Sequence, residues 1–326
     1  MKLQMRWLPV AIALLALANV AGPARAQDYP NRNITLVVPF PPGGGNDAMA
    51  RIMADRLTAR LGRTVVVENR GGGGGIVGTR HAAKTAPDGY TLMLGHTGSI
   101  GINPTLYANA GFDPIKDFTP LGLVARMSLV LLTHPSVKAK NVKELIALAK
   151  AEPGKINLGS SSRGTGSHMC AEMFMHEAQI KMNLIPYKGT GQLVSDLVGG
   201  HVQVSFGVIP PAYGNIKAGR LNALAVTGPT RSGLLPDVPT AAETGLPGFN
   251  VVLNYGLLAP AGTPKAIVDK INQAMRVALA NPEVQKRIST DGAEAASSTP
   301  AEYAAIVKQD FTRWAALLKK LNLRIN

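Results

Sequence analysis

Four groups of residues in this sequence have the types and spacing for chemistry. The first is Gly43-Gly44-Gly45-Asn46-Asp47, which follows the apolar run Ile34 to Val38 and two prolines, Pro41 and Pro42. A β-branched run of this kind reads as a strand buried on both faces, and the prolines end its ladder. Asn46 and Asp47 are N-cap types, and Met49, Ile52, Met53 and Leu57 follow at helical spacing. A strand, a glycine turn and a helix start together present free N–H groups and a positive dipole end. That arrangement suits a carboxylate, sulfate or phosphate, although the glycines would serve equally as a plain tight turn.

The second group, Gly73-Gly74-Gly75-Ile76-Val77-Gly78, matches G-x-G-x-x-G after the strand Thr64 to Glu68. A dinucleotide site also needs an acid ending the next strand, and that strand ends at Leu94-Gly95-His96 without one. A run of glycines matches the pattern trivially, so a turn is the better reading. No phosphate-loop motif with its lysine is present, and no cofactor is expected. The third group is the serine loop Ser160 to Ser167 beside His168. It would permit a periplasmic serine hydrolase, but it contains no G-x-S-x-G, and no histidine spacing implies a triad. The fourth group is His168, Glu172 and His176, spaced i, i+4, i+8 on the following helix. A linear stripe over two turns converges poorly on one ion, so a solvated face is expected and no metal.

The elements that must position these loops alternate strand and helix throughout. Ile34 to Val38, Thr64 to Glu68 and Tyr90 to Leu94 are strands separated by helices, which is the grammar of a doubly wound parallel sheet. Phe118 to Thr133 is extended and outruns an ordinary strand, so it reads as a crossing between lobes. Ile156 to Gly159, Asn183 to Tyr187, Val202 to Phe206 and Leu221 to Thr227 repeat the alternation. Amphipathic helices are predicted over Pro264 to Ala280 and Pro300 to Leu321. The organisation expected is a first domain of residues 27–124 and 229–326 and a second of 125–228. The loops Pro41–Asp47, His96–Ser99, Ser160–Ser167 and Lys188–Gly191 all fall at carboxyl ends of strands, where open α/β sheets bind ligands.

Residues 1–26 read as a secretory signal peptide. Lys2 and Arg6 precede the apolar stretch Trp7 to Gly22, and Ala24-Arg25-Ala26 fits a cleavage site that leaves Gln27 as the mature N-terminus. The formal charge of +14 falls to +11 once Lys2, Arg6 and Arg25 are removed. Basic residues are dispersed and aromatics few, so nucleic acid is not an expected partner, whereas steering of small anions is. Cys170 is the only cysteine, so no internal disulfide holds the fold, and a periplasmic location is favoured.

Several stretches, in order, resemble one family: VPFPPGGGND, VENRGGGGG, APDGYTL, INPTLY, LIPYKGTG, DLVGGHVQ, DVPTAAETGLPGF and YGLLAPAGTP. They are similar to the Bug-type extracytoplasmic solute receptors, the periplasmic binding proteins of tripartite tricarboxylate transporters. The resemblance covers nearly all of residues 28–326. It implies a two-domain α/β fold of the type II periplasmic-binding-protein class with a two-strand hinge, and no catalytic residues. It further implies a monomer that carries an organic acid (dicarboxylate, tricarboxylate, acidic amino acid or aromatic carboxylate) to membrane permease subunits. A binding protein that signals without transport is the other reading. By the resemblance, Phe40, Gly43, Gly44, Gly45, Asn46 and Asp47 hold a ligand carboxylate through main-chain groups and bridging waters. The loop after the third strand maps onto His96 to Ser99 and adds Thr97 and Ser99. The opposing loop, Ser162, Arg163, Gly164, Thr165 and Ser167, meets the distal half of the ligand, with Arg163 a partner for a second carboxylate. The family usually has Ser or Thr where this chain has Asn46.

Overall fold

The computed structural model describes residues 29–325. The signal peptide expected over residues 1–26 lies outside the described residues. Two sheets form the core of the molecule, which has an α/β fold. The first contains β1 (Ile34–Val38), β2 (Val65–Asn69), β3 (Thr91–His96), β4 (Phe118–Ser128), β10 (Val252–Pro260) and β11 (Glu294–Ala295). Its order is β11-β4-β10-β3-β1-β2, with β1 parallel to β2 and β3, and with β10 antiparallel to β3 and β4. The second contains β5 (Val130–Thr133), β6 (Asn157–Ser160), β7 (Asn183–Pro186), β8 (Val204–Gly207) and β9 (Asn222–Val226), in the order β7-β6-β8-β5-β9.

The β1 strand is central, which explains its composition. Ile34, Leu36, Val37 and Val38 are wholly buried because helices cover both faces of the sheet. After it, α1 (Gly45–Leu61) buries Met49, Ile52, Met53 and Leu57 and stops where Gly62 turns left-handed at φ 71°. The glycine run Gly73–Gly75 leads into α2 (Ile76–Ala83), and a turn over Thr97–Ile102 leads into the short α3 (Asn103–Leu106). The second sheet is covered by α4 (Val142–Ala151), α5 (Gly166–Glu177), α6 (Thr190–Val198) and α7 (Ile209–Lys217). The chain closes with α8 (Lys265–Leu279), α9 (Pro282–Thr290) and α10 (Pro300–Lys320). Thr299 and Glu302 form a reciprocal capping box at the start of α10, which buries Tyr303 and Trp314. The Tyr303 ring lies so close to Gly256 that a Cβ there would collide with it.

The long extended segment is two strands. It belongs to the first sheet as far as Ser128 and to the second from Val130, with Leu129 between them. Thr227 stitches this crossing to the returning chain. Its N–H donates to Leu129 O (2.8 Å), and its hydroxyl accepts from Leu129 N–H (2.9 Å) and donates to Val251 O (2.7 Å). On the return, Val251 N–H donates to Thr227 O (2.8 Å), and the chain joins the first sheet from Val252. Residues 229–250 stay with the second sheet, because Val226 donates to Pro239 O and accepts from Ala241 N–H.

Candidate functional site

The carboxyl ends of both sheets face one cavity of about 770 Å³. On the side of the first sheet, its wall is the loop from Phe40 into α1. Gly44 is the N-cap of α1, with extended backbone (φ −99°, ψ 174°), and no side chain caps the helix. The N–H groups of the first turn are thus left for an anion. A Cβ at Gly43 or Gly44 would meet nothing within 4 Å, so the backbone borders open space. Asn46 lines the cavity, and its side-chain oxygen is buried without a hydrogen-bond partner among the described residues.

The neighbouring Asp47 does not reach the cavity wall. Its carboxylate turns back to accept from Gly43 N–H (3.1 Å), Arg51 Nε (3.0 Å) and Asn69 Nδ2 (3.1 Å). Burial alone would raise its pKa, but the bonds from Arg51, Gly43 and Asn69 hold it below the usual carboxylate range. It fixes the loop from beneath through these three bonds.

The loop after β3 places two of the expected site residues, Thr97 and Ser99, with their hydroxyls already bonded. The Thr97 hydroxyl donates to Asp310 Oδ2 (2.8 Å) and accepts from Asn254 N–H (2.9 Å). Ser99 is wholly buried, accepting from His96 N–H (3.1 Å) and donating to His96 O (3.2 Å). Both hydroxyls are committed, because Thr97–Ile102 coils away under α10, and neither lines the cavity. The residue that does is His96. Its Nδ1 accepts from Ser99 N–H (3.0 Å), so the neutral ring carries its proton on Nε2 and remains a donor. Burial pushes its pKa down to about 4 and keeps it neutral. Phe40 and Tyr255 flank the ring, with centroids 4.8 and 5.6 Å away.

Across the cavity, Ser162, Arg163, Thr165 and Ser167 line the wall at the start of α5. Thr165 caps α5 by accepting from His168 N–H, and its hydroxyl donates to Ser162 O (2.7 Å). The Ser167 hydroxyl donates to Phe206 O (2.6 Å). These hydroxyls hold the loop itself, and what the loop offers a ligand is mostly backbone. Gly164 is absent from the wall. It turns left-handed (φ 74°) and presses onto Asn103 of the first sheet's side, so closely that a Cβ would collide with the Asn103 amide. The glycine run read as a plain turn also contributes to the cavity, since Gly72–Gly75 line it.

The structure also changes the readings around His168. The expected solvated stripe begins with a buried ring: His168 is neutral, its pKa pushed down to about 4 first by burial and then by Arg163. Its Nδ1 accepts from Gly164 N–H rather than from a serine hydroxyl. Its Nε2 lies 3.8 Å from Glu172, and among the described residues no cluster of three or more metal-ligating side chains forms. A nucleophile–base pair is therefore not built here. Sequence reading passed over the far wall, where Leu132, Tyr187, Leu193 and Ser205 meet the cavity. Leu132 and Leu193 look like ordinary core positions in the sequence, and only the loop Lys188–Gly191 carried a signal. Among the described residues no acidic side chain lines the cavity, and the only cations there are the exposed Arg163 and Lys188. An interior of this kind, with free N–H groups, two cations and no acid, selects for an anion.

Comparison with known proteins identifies the fold's family. The model of the tripartite tricarboxylate transporter family receptor matches residues 49–323. The chain belongs to that family. It is 36% identical to Protein BugT of Bordetella pertussis over 321 residues, 98% of each chain. The structure of the periplasmic binding protein BugD superposes with a TM-score of 0.81 at 38% identity, covering 91% of this chain and 99% of that one. MatC from Rhodopseudomonas palustris, with bound malate, superposes with a TM-score of 0.80 at 32% identity, covering 89% and 100%. The receptor is accordingly a solute-binding protein and not an enzyme, and its family is periplasmic.

Proposed function

We propose that this receptor captures a small organic carboxylate between its two sheets and delivers it to the membrane permease subunits of a tripartite tricarboxylate transporter. The observation that carries the reading is the uncapped start of α1 opening onto a cavity with two cations and no acid among its described lining residues. In this reading, the N–H groups of Gly44 to Asn46 and the ring N–H of His96 grip one carboxylate, with Phe40 against it. Ser162, Arg163, Thr165 and Ser167 approach from the other side. The malate held by MatC, a relative of nearly the same length, supports a ligand of this class. The moving units would be residues 29–128 with 252–325, and residues 129–251, turning about Leu129 and Val251. Export with loss of residues 1–26, and action as a monomer, complete the proposal.

Thermal unfolding of the mature chain with a panel of carboxylates tests it. Stabilisation should grow with ligand concentration, reaching about 2.7 kcal/mol at a hundredfold excess over Kd. Stabilisation by sugars or cationic amines alone, with no carboxylate effective, would overturn the reading.

A further inference from the structure

The cavity has two chemically different ends. Towards α1 it is backbone N–H and the His96 ring. Towards the second sheet it runs beneath α6, where Leu132, Leu193 and Leu197 form the wall. All three belong to the apolar core of that sheet, and Leu193 and Leu197 are wholly buried. Tyr187 borders the same arm, but its hydroxyl donates to Asp196 Oδ2 (2.8 Å). What it offers a ligand is therefore its ring. Ser205 lies among these residues, in register with Leu132 on β5 and Gly159 on β6. It is 1% exposed, and its hydroxyl has no hydrogen-bond partner among the described residues. A buried hydroxyl left without a partner is costly, and a ligand group that met it would remove that cost. Arg163 and Lys188, both on the lining, are exposed to solvent, which screens their charge.

We propose that the physiological ligand is an organic acid with an apolar body, an aromatic ring or a medium-length alkyl chain, ending in one neutral polar group. The carboxylate sits at the start of α1, the body lies between α6 and the β5–β8 pair, and the terminal group meets Ser205. The proposal rests on the carboxylate-receptor reading above and narrows it. Short hydroxylated di- and tricarboxylates fit the arm poorly, because they bring extra charge and hydroxyls against leucines, among which Ser205 carries the unpartnered hydroxyl. An apolar body leaves water for this apolar lining and gains affinity in proportion to its own buried area.

Titration calorimetry on the mature chain separates these classes, with 4-hydroxyphenylacetate, phenylacetate, malate and citrate as probes. Expected is binding of 4-hydroxyphenylacetate at least about tenfold tighter than of malate or citrate. The hydroxylated aromatic should also exceed phenylacetate, and Ser205→Ala should erase that difference while the protein still melts cooperatively. Val194→Ser, at a half-buried position of α6 on the cavity wall, should weaken both aromatics several-fold. Tighter binding of malate or citrate would overturn the inference and leave the carboxylate reading standing. Aromatic affinity untouched by both variants would also overturn it. Binding of none of the four acids would overturn both.

Discussion

At Gly44 and Gly164 the same residue type does opposite work, and substitution should tell them apart. Gly44 has ordinary extended angles and open space before it, so Gly44→Val costs the fold little and places two methyls where a carboxylate would sit. Carboxylate binding should fall at least about a hundredfold in calorimetry, with stability changed by under about 1 kcal/mol. Gly164 is left-handed and pressed on Asn103, so Gly164→Ala should destabilise by about 1–3 kcal/mol in urea unfolding. The buried histidines set a pH dependence. His96 and His168 both titrate near 4 when folded, against an ordinary 6.5, so between these values the unfolded chain binds more protons. Their neutral forms therefore stabilise the fold fully above pH 6.5, and that contribution is lost as pH falls towards 4. Each contributes up to about 3 kcal/mol, and His96→Gln should flatten the fall of Tm over that range. A Tm independent of pH from 7 to 4.5 would contradict the burial of both rings.

Among the elements, the helices and central strands were legible and the connections less so. The predicted helix over Pro264 to Ala280 forms as Lys265–Leu279, because one face carries Val268, Ile271 and Met275 into the core at regular spacing. The strand β1 was equally plain, since burial on both faces demands an unbroken apolar run. The split of the extended segment at Leu129 carries no local signal, because an apolar strand reads the same whichever sheet receives it. The attachment of residues 229–250 has no local signal for a related reason: it rests on hydrogen bonds to Val226, and proline- and glycine-rich sequence does not say which strand it will meet. Thr227 is the element-scale residue to probe. Thr227→Val keeps its shape but leaves Leu129 N–H and Val251 O without its hydroxyl, which should cost about 2–3 kcal/mol in denaturant unfolding. An unchanged midpoint would show that the crossing strands do not depend on this bond.

At the scale of the whole molecule, charge and cleft act together. The chain carries a formal charge of +14, and among the described residues no acid lines the cavity, so the field outside and the lining inside favour the same sign. Association of a carboxylate should therefore slow several-fold between low and high salt in stopped-flow fluorescence, as steering by exposed charge is screened. Dissociation should change much less, because backbone N–H groups in a closed cleft are shielded from ions. A salt-independent association rate would remove steering from the account.

The sequence by itself determined the α/β alternation, the two lobes and the anion-ready start of α1, because each follows from local periodicity and from what glycine and proline allow. It also carried the motifs of the receptor family in order along nearly the whole chain. Only the tertiary structure decided which side chains reach the cleft. Thr97, Ser99 and Asp47 had suitable chemistry and position, yet partners distant in the chain, Asp310, Asn254 and Asn69, engage two of them, and Ser99 folds back on His96. Leu132 and Ser205 had no distinguishing local pattern, and they meet the cavity because two sheets bring their edges together. Local sequence sets conformation over a few residues, whereas a binding site is a set of contacts between segments far apart in the chain.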